Sequence, residues 1–332
     1  MKKALCVLAS AACLCGLLSG CSGGNKEKVV IYSSAEDFRN EHLQTRLEEQ
    51  FPDYEIVVEY QSTGSNAARL KAEGTSTECD IIFDLETGYM EQLKDMLASL
   101  DDYDFSNYLP ELVPEEKKYA PLYRYSGAVI VNPELLQEKG LAAPTSFEDL
   151  LDPKYKGLIS MPNPKASSTG YMFLKALVNS MGEEEAFAYF DALYPNVLSF
   201  TSSGSGPVNA LVQKEAAIGL GMTFQAVNEI NKGVDLDLLY FEGPAPYPSG
   251  APYSTGGTAV IDGKLERPAV KAVFDYIYNT LILEDKQLFM PEAIYKDQNT
   301  PIENYPTDIV YADMTGGSDF AEKDRLLSKW KY

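Results

Sequence analysis

The 332-residue chain is poor in the residues from which most catalytic and metal sites are built. It has one histidine, five cysteines and one tryptophan, and 28 Lys and Arg stand against 49 Asp and Glu for a formal net charge of −21. His42 falls in a polar stretch of a predicted helix, so histidine-based acid–base catalysis and His-rich metal sites have almost no material. The shortage of basic residues excludes the electropositive footprint that nucleic acid requires. Such a charge favours solubility and says little about fold. Of the cysteines, Cys6, Cys13 and Cys15 crowd the first twenty residues, Cys21 follows at once, and only Cys79 lies in the body. A disulfide scaffold and a cysteine-rich zinc site are therefore excluded. Stability must come from apolar burial, and roughly 300 residues beyond the N-terminal segment are enough for two lobes.

The N-terminus has its own logic. Lys2 and Lys3 precede an apolar run, Ala4 to Leu18, that ends Leu18-Ser19-Gly20-Cys21. This is the layout of a secretory signal peptide over residues 1–20; spanning a bilayer takes about 20 apolar residues. Leu-Ser-Gly-Cys resembles the lipobox of bacterial lipoproteins. That resemblance implies lipid on Cys21, an extracytoplasmic location, and membrane attachment through the lipid alone. Residues 21–28 then read as the lipidated cysteine and a flexible tether.

Downstream, β-branched runs alternate with helical periods. Val29–Tyr32, Glu55–Tyr60 and Asp80–Asp84 read as strands, with helices after each. A second region repeats the pattern, with strands at Gly157–Met161, Val197–Phe200, Ala216–Met222 and Leu236–Phe241. Such alternation predicts an α/β fold with a largely parallel sheet covered on both faces. Residues 243–257 read as a loop and 257–261 as a returning strand. The segment 123–133 joins the two regions and, with 254–261, would form a hinge. The expected division is 28–125 plus 255–332 for lobe 1 and 126–254 for lobe 2.

In open parallel sheets, ligands bind beyond the carboxyl ends of the strands. Four hydroxyl-rich turns stand there: Ser33 and Ser34; Ser62, Thr63, Gly64 and Ser65; Ser167, Ser168, Thr169 and Gly170; Ser202, Ser203, Gly204 and Ser205. Each follows a predicted strand and precedes a helix, whose free N–H groups and dipole suit an oxyanion. Ser, Thr and Gly also belong at helix starts as ordinary caps. Four such turns, two per lobe, point to a shared cleft, with Thr255 and Gly256 as loop contributors. Tyr125, Tyr247 and Tyr253 would stack on a ligand or simply pack. Asp84 and Glu86 would meet a cation or remain solvated.

Four segments carry a family resemblance: Ser62–Glu73 (STGSNAARLKAE), Pro121–Gly127 (PLYRYSG), Asp152–Ile159 (DPKYKGLI), and Ser203–Ser205 running on to Glu215–Gly219 (EAAIG). On these the chain resembles bacterial family 1 extracellular solute-binding proteins, in the branch that takes ferric ion, thiamine, 2-aminoethylphosphonate and sugar phosphates. The resemblance implies a type II periplasmic-binding-protein fold: two α/β lobes, a hinge and an interlobe cleft. It further implies a monomer that binds a small molecule, needs no cofactor, and delivers its cargo to an ABC transporter permease. Ferric-binding relatives carry adjacent tyrosines after the strand matching Ala216–Met222. Here the stretch is Thr223-Phe224-Gln225-Ala226-Val227-Asn228, so the hydroxyl-rich turns favour a phosphonate or phosphate ester over iron, thiamine or a polyamine. A secreted hydrolase would need a nucleophile beside a base, or a metal cluster; neither His42 nor Cys79 has partners at a suggestive spacing.

Overall fold

β-branched and aromatic side chains at Val29–Tyr32 cannot be left in water, and the fold covers them on both sides. The computed structural model describes residues 26–241 and 246–332; Cys21 and the apolar leader lie outside the described residues. The first lobe opens with β1 (Glu27–Ser33), α1 (Asp37–Gln50), β2 (Tyr54–Tyr60), α2 (Thr63–Glu73), β3 (Ile81–Glu86) and α3 (Thr87–Leu93). β1 runs parallel to β2 and to β3. Its ladder begins two residues before the expected strand, because Glu27 and Lys28 already pair with Tyr54 and Glu55.

A long strand, β4 (Ala120–Val131), leads into the second lobe. There follow α4 (Pro133–Glu138), β5 (Ile159–Pro162), α5 (Ser168–Met181), α6 (Glu183–Leu193), β6 (Val197–Thr201), α7 (Gly206–Val212), β7 (Ile218–Met222), α8 (Thr223–Asn231) and β8 (Asp237–Leu239). β9 (Tyr253–Val260) returns to the first lobe, and α9 (Pro268–Tyr276), α10 (Ile282–Leu288) and α11 (Phe320–Lys329) complete the chain. The strand order is β2-β1-β3-β9-β4-β7-β5-β6, with β8 also on β4. This is the expected α/β architecture, two lobes joined through shared strands.

β9 begins at Tyr253, four residues before the expected return. Tyr253 to Gly256 pair with Ser126 back to Tyr123, so backbone hydrogen bonds draw part of the Pro- and Gly-rich stretch into the sheet.

β4 changes neighbours partway along. Ala120 to Ser126 pair with β9; Gly127 to Val131 pair with β7. At the changeover the buried carboxylate of Glu292 takes over the backbone's partner. Its Oε1 accepts from the Ser126 amide at 2.7 Å and from the Tyr305 hydroxyl at 2.6 Å, and Oε2 accepts from Tyr311 at 2.7 Å. The Ser126 hydroxyl lies 2.7 Å from the same Oε1.

The last helix serves both lobes. Lys323 pairs with Glu86 of β3, and its ammonium sits 4.0 Å from the Tyr89 ring centre and 4.5 Å from that of Tyr171. Glu322 pairs with Lys175, and Trp330 wedges edge-on between Phe190 and Phe200. The segment 255–332, taken from sequence as part of lobe 1, thus divides its contacts between the lobes.

Removing the Glu292 carboxylate strands several buried donors, each costing on the order of 1–3 kcal/mol. Glu292→Ala should lower unfolding free energy by roughly 3 kcal/mol, read as a lower urea midpoint at unchanged slope. Wild-type stability would show that the changeover needs no such acceptor.

Candidate functional site

The carboxyl ends of β1 and β2 deliver Ser34 and Thr63 to one wall of a cavity, and β5 and β6 deliver Ser167 and Ser203 to Ser205 to the other. Ser34, Glu36, Tyr60, Ser62, Thr63, Ser167 and Ser203–Ser205 line it. Its volume is about 20 Å³, room for a water molecule and too small for an organic solute as it stands. The walls touch directly: the Gly64 amide lies 3.4 Å from the Ala166 carbonyl oxygen.

One glycine permits this approach, and a second tightens the far wall. A Cβ at Gly64 would stand 2.6 Å from the Lys165 carbonyl oxygen, and one at Gly204 would stand 2.6 Å from the Thr169 hydroxyl. Both are below any contact that a real side chain tolerates; Gly64 thus keeps two backbones close, whereas Gly204 packs on side chains.

The turn residues do not all share this cavity. Ser34, Thr63, Ser203, Gly204 and Ser205 line it; Ser168 and Thr255 line a separate space of about 140 Å³. Ser33 is fully buried and turns inward, its hydroxyl donating to Asn40 Oδ1 at 2.6 Å. Ser65 is exposed and bonded to Ser62 at 3.0 Å. Thr169 meets the Tyr125 hydroxyl at 3.0 Å. Gly170 packs on the Pro162 carbonyl and Gly256 on the Tyr123 ring. Thr255 bonds Thr87 at 2.8 Å.

Beside the cavity is a charged cluster. Arg39 of α1 is buried; it bonds Asp84, reaches Asp285 of α10 at 2.7 Å and Glu36 at 3.1 Å. Lys286 pairs with Asp285 at 3.2 Å. Asp84, open to solvent or cation in the sequence reading, is instead buried on this arginine, and Glu86 on Lys323. A bulge between Ile82 and Leu85 shifts the register, and Asp84 adopts a left-handed φ of 60°. Burial pushes the Asp84 carboxyl up despite Arg39. For Asp285, Arg39 and Lys286 outweigh burial and hold it below its usual range. Burial pushes Glu36 up to about 7 against the pull of Arg39.

β4 carries an aromatic pair that lies outside the cavity lining. Tyr123 and Tyr125 occupy one face of β4, where burial holds both phenols neutral. Tyr125 meets Phe224 of α8 edge-on at 5.5 Å, and Arg39 reaches across to the Phe224 ring at 5.9 Å. Sequence reasoning missed Glu36 and Tyr60. Glu36 lies only two residues beyond Ser34, so the signal was proximity to the turn rather than any motif. Among the described residues no group of three or more His, Cys, Asp or Glu is arranged to hold a metal ion, and no helix is long and apolar enough to cross a membrane.

Residues 32–280 match the family described as bacterial extracellular solute-binding protein. An uncharacterized protein of Haemophilus influenzae is 26% identical over 333 aligned residues, covering 95% of this chain and 93% of the relative. A putative 2-aminoethylphosphonate-binding periplasmic protein of Salmonella typhimurium is 27% identical over 162 residues, covering 48% of this chain and 46% of that protein. Among solved structures, the periplasmic binding protein AfuA from Actinobacillus pleuropneumoniae, with fructose-6-phosphate bound, superposes with a TM-score of 0.78 at 23% identity, over 92% of this chain and 98% of that one. Iron-bound HitA from Pseudomonas aeruginosa gives 0.71 at 16% identity, over 91% and 98%.

Because Gly64 abuts backbone, Gly64→Ala should hold the lobes apart. Solution scattering should then show a larger radius of gyration than wild type, with an almost unchanged melting temperature. A wild-type scattering profile would mean that the chain absorbs the methyl group without opening.

Proposed function

This chain belongs to the bacterial extracellular solute-binding proteins, and on that premise we propose that it captures a small anionic solute, a phosphonate or phosphate ester, between its lobes and passes it to an ABC transporter permease. The observation that carries this reading is the cavity walled by hydroxyls from both lobes: Ser34, Ser62 and Thr63 on one side, Ser167, Ser203 and Ser205 on the other. Hydroxyls and helix-start amides are the donors an oxyanion needs, and a ligand gripped from two sides favours closure. The net charge is no obstacle, since the screening length at ordinary salt is about 8 Å and nearby donors decide the site. The stretch Thr223–Asn228 offers no tyrosine to iron. Among the described residues no hydroxyl of the cavity is hydrogen-bonded to a histidine or carboxylate, and capture without chemistry is the use we propose.

A neutral-to-anion hydrogen bond in a closed cleft contributes on the order of 1.5–3 kcal/mol. Thr63→Ala or Ser203→Ala should therefore weaken binding roughly ten- to a hundredfold and leave the unliganded melting temperature nearly unchanged. Calorimetric titration with alkylphosphonates and sugar phosphates checks this; unchanged affinity in both variants would reduce these turns to helix caps.

We also propose that lipid on Cys21 anchors the chain to the outer face of the cell membrane. Cys21→Ser should then move it from the membrane fraction to the soluble extracytoplasmic fraction, and a variant that kept a labelled acyl chain would refute this.

A further inference from the structure

Arg39, Arg46, Arg69, Arg267 and Arg325 each donate a hydrogen bond to a carboxylate. Arg124 does not. Among the described residues the one carboxylate that approaches it is Glu111, itself exposed and 4.0 Å away. The Arg124 side chain is only 18% exposed, and its Nε is buried with no hydrogen-bond partner. In a chain with 49 acidic against 28 basic side chains, a largely buried guanidinium left short of anions is out of pattern, because a charge withdrawn from water is costly unless it is paired.

Arg124 lines a space of about 420 Å³, on the face of β4 opposite Tyr123 and Tyr125. The other walls come from the segment between α10 and α11. Pro291, Pro301, Ile302 and Ile309 supply apolar surface, and the Tyr311 ring centre stands 4.8 Å from the guanidinium carbon. The segment is fixed from within: Gln298 accepts from the Ile294 amide at 2.9 Å and donates to the Pro291 carbonyl oxygen at 2.8 Å. No residue lines both this pocket and the cleft cavity. Its size falls in the range of about 300–1,000 Å³ usual for small-molecule sites, which are mostly apolar with a few polar groups that orient the ligand. Glu292 also lines the pocket, but Ser126, Tyr305 and Tyr311 already occupy its oxygens. Its charge opposes a doubly charged anion nearby.

We propose that this pocket is a second small-molecule site, taking an organic monocarboxylate with a short apolar body. The planar carboxylate would meet the planar guanidinium fork of Arg124, a match in shape as well as charge. The body would lie on the prolines and isoleucines. The site stands apart from the cleft, whatever solute the cleft takes.

Benzoate and benzamide, alike in shape and different in charge, are the probes. Calorimetric titration of wild type should show benzoate bound at least tenfold more tightly than benzamide. Arg124→Gln should weaken benzoate at least tenfold. So should Thr307→Trp, which fills the pocket from an exposed position. Thr63→Ala, in the cleft, should leave benzoate binding unchanged. Absence of benzoate binding by wild type up to about 20 mM overturns the proposal, as does equal affinity for benzamide or wild-type affinity retained in Arg124→Gln. Loss of benzoate binding in Thr63→Ala would put the anion in the cleft and overturn it too. If Arg124→Gln does not fold, Thr307→Trp decides: unchanged benzoate affinity there overturns the proposal.

Discussion

One backbone amide, that of Ser126, stands where the chain passes from one half of this molecule to the other. A strand that leaves one sheet and enters another must skip a ladder partner at the changeover, and an unpaired buried amide is costly. Glu292 supplies the acceptor from a distant loop, and Tyr305 and Tyr311 complete its coordination. β4 therefore stays continuous through the changeover. Its alternation places Tyr123 and Tyr125 on one face and Arg124 and Ser126 on the other, and the two tyrosine rings pack on each other at 5.2 Å.

The second organising element is Arg39. A buried guanidinium tolerates isolation poorly, and replacing such a group by hydrocarbon is often neutral for stability. Its service here is positional. It ties α1 to the bulged end of β3 through Asp84 and to α10 through Asp285. The left-handed backbone at Asp84 is the kind of local strain that surrounding contacts must sustain. The strand ends that form the cleft are thus set by charge as well as by packing.

The layered α/β plan was legible because period-two and near-helical spacings of apolar residues are local properties. Val29–Tyr32 and Asp80–Asp84 announced themselves that way. Tyr253 did not, because a stretch rich in Pro and Gly becomes a strand only when a partner, Ser126, offers its edge. In the site, the turn chemistry identified Ser34, Thr63 and Ser203–Ser205. It could not separate them from Ser33, since a serine at a strand end faces the cleft or the core according to the pleat and to neighbours such as Asn40. Nor could it find Glu36, whose meaning depends on Asp84 and Asp285, far away in sequence. The ion pairs of the last helix were equally hidden: Glu322 with Lys175 of α5 and Lys323 with Glu86 of β3 join residues more than a hundred positions apart.

Cys79 has been a minor figure: fully buried two residues before β3, its thiol donating to the Ile81 carbonyl oxygen at 3.1 Å, and pushed up by burial. It is the one cysteine among the described residues. Only the thiolate reacts readily with alkylating and oxidising reagents, so the native fold keeps this sulfur silent. Its reactivity then becomes a clock for partial opening of the first lobe alone, ticking each time β3 detaches, whatever the second lobe does. The same burial spares the chain from pairing with a neighbour through that sulfur, a protection that lasts as long as the sheet does.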